Sequence, residues 1–365
     1  FILILTSAPD LDAAKSVGRR LIDRIGLPVD VEGQSAEVGA SVGITTIPAG
    51  CEKSLDTLLK EADVALYDVK NAGRGAVSVF TRELEDREAR VKQLIRDIEP
   101  AIARGEFVPF YQLQVDVATG MVFGAEVLGR WQHPELGLIL PQQFLEVAER
   151  AQLVEKIDAA IFAQALDNLA AWSRQGIAPP HLSLNLTFRK LTGGNFAERF
   201  RDEVDARGLH PSQIIFELIE LILIDEETVA IHEAAEMLHR NGFKLAIDDF
   251  GTGRASLMSL LSVPASIVKI DRSFVSNLDQ FPKKMLMTEA IMNIARALGL
   301  NVIAEGTETE KECAILLGLG CTIFQGFLFN RPEPALRFER TLRDAEWRAA
   351  FPAAVDMRAV FDSSA

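Results

Sequence analysis

Five short apolar runs between residues 181 and 306 each end in an acid, an amide or a Lys-Asp pair, and this repetition constrains the fold more than any other feature. The runs are LSLN ending at Asn185, IIFE at Glu217, LAIDD at Asp248 and Asp249, IVKID at Lys269 and Asp271, and NVIAE at Glu305. In a parallel α/β barrel the strands point one way, so residues at their C-terminal ends share a face however far apart they lie in sequence. Acids crowded on such a rim repel one another unless cations neutralise them, so the pattern predicts a metal site.

A barrel of ordinary size leaves roughly 100 of the 365 residues for a second unit, which makes two domains the expectation. Apolar residues form 48% of the chain and charged residues 25%, enough hydrophobic material for real cores and a poor match to disorder. A formal charge of −14 argues against binding nucleic-acid polymers, because phosphate affinity rests on clustered Lys and Arg. Cys51, Cys313 and Cys321 match neither a zinc knuckle nor a disulfide framework, and read as reduced thiols in a cytoplasmic protein. No run reaches the length of a membrane span. The chain opens at Phe1 directly in FILIL, a strand-like run; this reads as a fragment, with membrane contact arising only through sequence upstream of it.

The first 80 residues alternate strand-like and helix-like runs: FILIL, a helix near Leu11–Ile25, a strand around Ala36–Ile47, a helix near Leu55–Asn71 and a strand around Ala76–Phe80. Residues 82–104 carry Leu84, Val91, Leu94, Ile95 and Ile98 at helical spacing and predict an amphipathic connecting helix, either a packed spacer or a signalling lever. From Phe107 to about residue 340, helical stretches at 142–151, 155–175, 195–207, 226–241, 282–298 and 308–318 alternate with strands, as a βα barrel requires. Thr307-Glu308-Thr309-Glu310 has the form of a capping box, so Glu308 and Glu310 read as helix-start residues rather than ligands.

Asp248-Asp249 followed by Phe250-Gly251-Thr252-Gly253 is the sharpest local signal. Adjacent aspartates at a strand end point to different sides, so one can bridge two hard cations while the other serves only the second. The alternative is a turn in which either aspartate caps the next helix. Glu126 with Arg130, Asn185 and Glu217 each have ordinary readings as a surface pair, a cap or a solvated edge residue. Independent ordinary readings do not explain an oxygen donor at strand end after strand end.

The stretch from about Phe107 to Pro334 resembles the EAL-type cyclic-di-GMP phosphodiesterases. The resemblance lies in YQ at 111–112, EVLGRWQHPELGLILPQQF at 126–144, LNLT at 184–187, ELIE at 217–220, DDFGTG at 248–253, KID at 269–271, AEGTET at 304–309 and QGF at 325–327. It implies a TIM-like (β/α) barrel, and the alternation in the first 80 residues sets a smaller α/β domain, expected to be truncated, in front of it. By the resemblance, Glu126, Asn185, Glu217 and Asp248 bind a first Mg2+ or Mn2+, with Asp248 shared and Asp249 and Glu305 serving a second. Lys269 contacts the attacking water and is grouped with Asp249 and Glu305 as catalytic; Asp271 supports the metal shell and Glu308 has a supporting place beside it. Gln112 and Arg130 resemble the contacts to guanine and phosphate, and Gln325 helps hold the site and is counted with them as substrate-binding. The family also implies a homodimer through this domain.

Val127 stands where the family has Ala, Leu113 where it has Pro, Arg254-Ala255 where it has Tyr-Ser, and Thr307 where it has Val. None removes a metal-binding atom. Arg254 falls in a loop that orders the metal site and dimer contact in such enzymes, so its effect falls on activity rather than on ligand binding. SVGIT at 41–45 and ADVALYDVKNAGR at 62–74 resemble the back half of a GGDEF diguanylate cyclase domain; the catalytic signature is absent, and this half is not expected to make cyclic-di-GMP. The implied divisions are 1–81 cyclase-like, 82–105 connecting helix, 106–340 EAL and 341–365 tail. Two functions follow: hydrolysis of cyclic-di-GMP to linear pGpG by a two-metal-activated water, or a catalytically silent cyclic-di-GMP receptor that signals by protein contact. A third reading is a scaffold acting through the connecting helix.

Overall fold

Apolar spacing alone locates the first three helices, and they form as α1 (Leu11–Ile25), α2 (Leu55–Asn71) and α3 (Arg82–Arg104). The computed structural model of the chain describes residues 1–31, 34–71, 73–187, 195–219, 228–252, 263–344 and Trp347. They divide into two units, Phe1–Pro100 and Ala101–Ala365.

In the first unit Asp10 caps α1 by accepting the Ala13 N–H at 2.7 Å. β1 (Val29–Val31) and β2 (Gln34–Ala36) form an antiparallel pair, while β3 (Val42–Ile44) and β4 (Val77–Val79) run parallel. A strand predicted over 36–47 is therefore two separate pieces. Gly43 on β3 lies under α2, where a Cβ would stand 2.2 Å from the Ala62 carbonyl oxygen, so only glycine permits that approach. Phe1–Leu5 forms no strand and is exposed: among the described residues no strand pairs with it, and an unpaired ladder gains nothing over water. On α3, Leu84, Leu94 and Ile98 are buried but Ile95 is 40% exposed, since it lies about 100° around the helix from Leu94.

The second unit is a closed barrel. Its strands are β5 (Phe107–Asp116), β6 (Met121–His133), β8 (Leu182–Asn185), β9 (Ile214–Ile219), β10 (Lys244–Phe250), β11 (Ile267–Ile270), β12 (Asn301–Ala304) and β13 (Ile323–Phe324). They pair in that order and β13 returns to β5. From β6 to β13 all neighbours are parallel, but β5 runs antiparallel to both β6 and β13. The expectation that every strand points one way thus holds for seven of eight. Only four residues, Val117–Gly120, join β5 to β6, too few for a crossover, so the two must form a hairpin. Short strands β7 (Gly137–Ile139) and β14 (Glu333–Pro334) extend β6 and β5.

Helices α4 (Pro141–Arg150), α5 (Val154–Arg174), α6 (Phe196–Asp205), α7 (Thr228–Arg240), α8 (Arg272–Val275), α9 (Pro282–Ala297), α10 (Glu310–Gly318) and α11 (Ala335–Asp344) intervene between or follow the strands. Outward side chains of the strands meet them: Phe216 of β9 packs 5.1 Å from the Phe200 ring of α6 and 5.2 Å from Phe243. Inside the barrel, Ile215, Ala246, Ile267, Ile303 and Ile323 form one buried cluster. Side chains alternate along a strand, so the residues two further on face inward as well. Those are Glu217, Asp248, Lys269, Glu305 and Gln325, and the ladder that aims the last two continues past the strand ends through Glu305 N to Ile270 O (3.0 Å) and Gln325 N to Ala304 O (2.9 Å).

Cys313 and Cys321 are buried free thiols whose burial pushes both up to about 12, which leaves them unreactive. No helix among the described residues is long and apolar enough to cross a membrane. Glu220, Gly253, Arg254, Ala255 and most of the tail from 345 onward lie outside the described residues.

Candidate metal centre

Period-two alternation on neighbouring parallel strands delivers the predicted acids to one inward rim. Lys269, only 1% exposed, is their hub. Its Nζ lies 2.6 Å from Glu305 Oε1, 2.8 Å from Glu217 Oε2, 3.1 Å from Asp248 Oδ1 and 3.5 Å from Glu126 Oε2. Asn185 Nδ2 donates to Glu126 Oε1 at 3.1 Å, and Gln325 Nε2 donates to Glu126 Oε2.

Asp249 joins this rim by a route that alternation does not predict. The β10–β11 register shifts between Ile247 and Phe250, and Asp249 takes φ +56°, in the left-handed region. Such a bulge re-aims a side chain that a regular strand would send to the far face. Oxygens of Asp248, Asp249 and Glu305 consequently fall within 4.8 Å of one another, instead of pointing to different sides. The turn is held by Thr252, whose N–H and hydroxyl both donate to Asp249 O, at 3.2 and 2.7 Å. Gly251 follows at φ +97°, and a Cβ there would press on Ile291 and Phe274 at 2.9 and 3.0 Å.

The electrostatics are unbalanced. Five carboxylates, those of Glu126, Glu217, Asp248, Asp249 and Glu305, face one ammonium. Burial, reinforced by the neighbouring acids and against the pull of Lys269, holds the Glu217 carboxyl well above the usual carboxylate range. Burial likewise pushes Glu305 up to about 8, and burial together with Asp248 raises Asp249. For Lys269 burial works the other way, but the surrounding acids outweigh it and keep the ammonium charged. Glu217 Oε1 is buried and makes no hydrogen bond among the described residues, and the buried Asp248 Oδ1 has Lys269 as its ion-pair partner. Excess negative charge, a tight trio of carboxylates and an unpartnered carboxylate oxygen are the donor set of a hard divalent cation. The residues present fit such an ion.

Other predicted residues sit apart from Lys269. Asp271 caps α8 by accepting Ser273 N–H at 2.9 Å, and acts on the rim through its charge on Asp249. Glu308 pairs with Arg272 at 2.8 Å. The capping box of α10 is formed by Thr309 and Glu312 rather than by Thr307 and Glu310: Thr309 Oγ1 accepts Glu312 N–H, and Glu312 Oε2 accepts Thr309 N–H. Thr307 instead is fully buried, its N–H bonded to Gln325 O at 3.2 Å, and so cannot open the helix. Arg130 donates to Gly129 O at 2.8 Å and stacks 5.6 Å from the Phe110 ring. Gln112 is buried with both ends of its amide engaged, Nε2 donating to Asn330 O at 3.1 Å and Oε1 accepting from Gln325 Nε2 at 3.2 Å.

Two residues of this network escape the motif reading. Gln114 donates to Gln325 Oε1 at 3.0 Å, and Asn330 accepts both the Gln112 amide and, through Oδ1, the Leu113 N–H at 2.9 Å. The Leu113 bond is one a proline there could not make. Gln112 and Gln114, two apart in the mostly apolar run FVPFYQLQV, are the available sequence signal: a shared inward polar face.

Fold and site together define an acid-rimmed α/β barrel of a kind suited to divalent cations. The EAL domain profile matches residues 95–332, and the chain belongs to that family. A diguanylate cyclase GGDEF domain profile matches residues 1–76. Among curated relatives, the bifunctional diguanylate cyclase/cyclic di-GMP phosphodiesterase MucR of Pseudomonas aeruginosa is 33% identical over 92% of this chain and 48% of its own length. The cyclic di-GMP phosphodiesterase PdeR of Escherichia coli is 32% identical over 93% of this chain and 50% of its own. The chain thus spans about half the length of these relatives. A solved structure described as PaMucR phosphodiesterase in a c-di-GMP complex is 35% identical, with a TM-score of 0.64 over 67% of this chain and 99% of that one.

Proposed function

We propose that the chain hydrolyses cyclic-di-GMP to linear pGpG with two divalent cations, Mg2+ or Mn2+, at the acidic rim. One observation carries the reading: oxygen donors from five strands gather around Lys269 with more negative charge than that lysine neutralises. The activities for which MucR and PdeR are named and the ligand of the PaMucR structure supply the substrate.

Glu126, Asn185, Glu217 and Asp248 would hold one ion, and Asp248, Asp249 and Glu305 the other. When bound, such a pair activates water and offsets the charge that develops on a phosphodiester. The chain's own groups do the rest. Lys269, fixed between Glu217 Oε2 and Glu305 Oε1, places an ammonium where the attacking water is oriented. Asn185 and Gln325 each hold one oxygen of Glu126 and so fix its carboxylate plane. Arg130 supplies a guanidinium for the phosphate, while Gln112 and Gln325 line the substrate side. The divisions at 81, 105 and 340 and the pairing of two barrels into a dimer belong to the same reading; sedimentation of the purified chain tests the pairing.

Incubation with cyclic-di-GMP and Mg2+ or Mn2+, followed by chromatography, should yield pGpG. Chelation or Asp248→Asn should lower the rate by about 10²–10³-fold. Tight nucleotide binding without turnover in either metal would reverse the conclusion in favour of a silent receptor.

A further inference from the structure

We propose that Gln114 is a positioning residue for the rim: it fixes which end of the Gln325 amide faces Glu126, and so holds that carboxylate ready for a divalent cation. The inference rests on the metal-dependent reading above and adds to it a side chain that touches neither cation nor substrate.

A glutamine amide is nearly symmetric in shape but opposite in polarity at its two ends. Turned one way, Gln325 donates to Glu126 Oε2 and, at 3.2 Å, to Gln112 Oε1. Turned the other way, it sets a carbonyl oxygen against a carboxylate. Gln114 Nε2 selects the first orientation by donating to Gln325 Oε1 at 3.0 Å. Asn185 holds the opposite oxygen of Glu126, so the carboxylate is gripped from both sides.

Gln114 itself is wholly buried, one inward step from Gln112 on β5. The residue opposite it is Gly124, where a Cβ would stand 3.0 Å from Gln114 Oε1, so the absence of a side chain there makes room for the amide. That Oε1 has no hydrogen-bond partner among the described residues. A side chain selected for stability would not leave a buried carbonyl oxygen unpaired, because its full desolvation penalty goes uncompensated. An apolar side chain of similar length would fill the position with no such loss. The amide's polarity is therefore explained by what its Nε2 does for Gln325.

The test uses the full chain carrying Gln114→Met, Gln325→Met or both. Three quantities are read: Mn2+ affinity from the electron paramagnetic resonance of free ion, unfolding temperature in chelator, and hydrogen exchange of the Gln325 side-chain amide by NMR in ion-free protein. Gln114→Met should weaken Mn2+ binding about 10–100-fold while unfolding at an equal or higher temperature, and should speed exchange at the Gln325 amide. In the Gln325→Met background it should add no further loss of affinity, as expected of residues acting in series. A lower unfolding temperature with Mn2+ affinity intact overturns the proposal, as do losses that add in the double variant. The exchange measurement needs neither ion nor substrate. Faster exchange alongside no Mn2+ binding by the unsubstituted chain sinks the metal reading and leaves the Gln114–Gln325 orientation standing; unchanged exchange with Mn2+ binding intact sinks the orientation alone.

Discussion

Two layers of side chains face the same barrel interior one inward step apart, and they are opposite in chemistry. Ile215, Ala246, Ile267, Ile303 and Ile323 make the lower layer; Glu217, Asp248, Lys269, Glu305 and Gln325, from the same strands, make the upper. Burying each lower isoleucine contributes roughly 1.5–3 kcal/mol. Buried charges such as those above it at best break even against their desolvation. The lower layer holds the barrel closed, and the upper layer is tolerated because the lower one makes its strands rigid.

Lys269→Met should show the largest effect on this contrast. Removing the ammonium leaves buried carboxylates uncompensated, which costs about 3–5 kcal/mol at neutral pH, read by chemical denaturation in chelator. A loss under about 1 kcal/mol would mean that the acids are already neutral around a dispensable lysine. Ile267→Ala, directly below Lys269, should cost about 2–5 kcal/mol through its cavity, with Mn2+ affinity per folded molecule unchanged. Loss of affinity in proportion to stability would merge the two layers into one functional unit.

The pH dependence sharpens the contrast further. Glu305 rises from the ordinary 4.5 to about 8 in the fold, so between those values the folded chain binds more protons than the unfolded one. Stability of ion-free protein from this group is present below pH 4.5 and is lost as pH climbs towards 8, with a slope of at most about 1.4 kcal/mol per pH unit. Thermal unfolding in chelator from pH 5 to 8 reads it; Glu305→Gln should flatten the slope, and Mn2+ should restore stability at the alkaline end. An unchanged slope in that variant would remove Glu305 from the account. The smallest effect belongs to Glu308→Gln, whose exposed pair with Arg272 lies outside the rim: below about 1 kcal/mol in stability. A loss of Mn2+ affinity comparable to that of Gln114→Met would instead bring Glu308 into the site.

Much of this was legible in the residues. The helical spacing of 11–25, 55–71 and 82–104 located α1, α2 and α3, and acids at strand end after strand end announced the rim, because both patterns are local periodicities. What failed to be legible depended on partners. FILIL has strand composition but no neighbour to pair with among the described residues. Thr307 and Glu310 have the spacing of a capping box, yet burial of Thr307 shifted the helix start so that Thr309 and Glu312 form it.

The sequence by itself determined the alternation that turns Glu217, Asp248, Lys269 and Glu305 inward, since side-chain direction along a strand is set by backbone geometry. Only the tertiary structure decided that β5 closes the barrel against β13, that a bulge swings Asp249 onto the rim beside Asp248, and that Gln114 meets Gln325 from 211 positions away. Those depend on where the closing barrel brings distant strands into register, and such register is a property of the packed whole rather than of any local run.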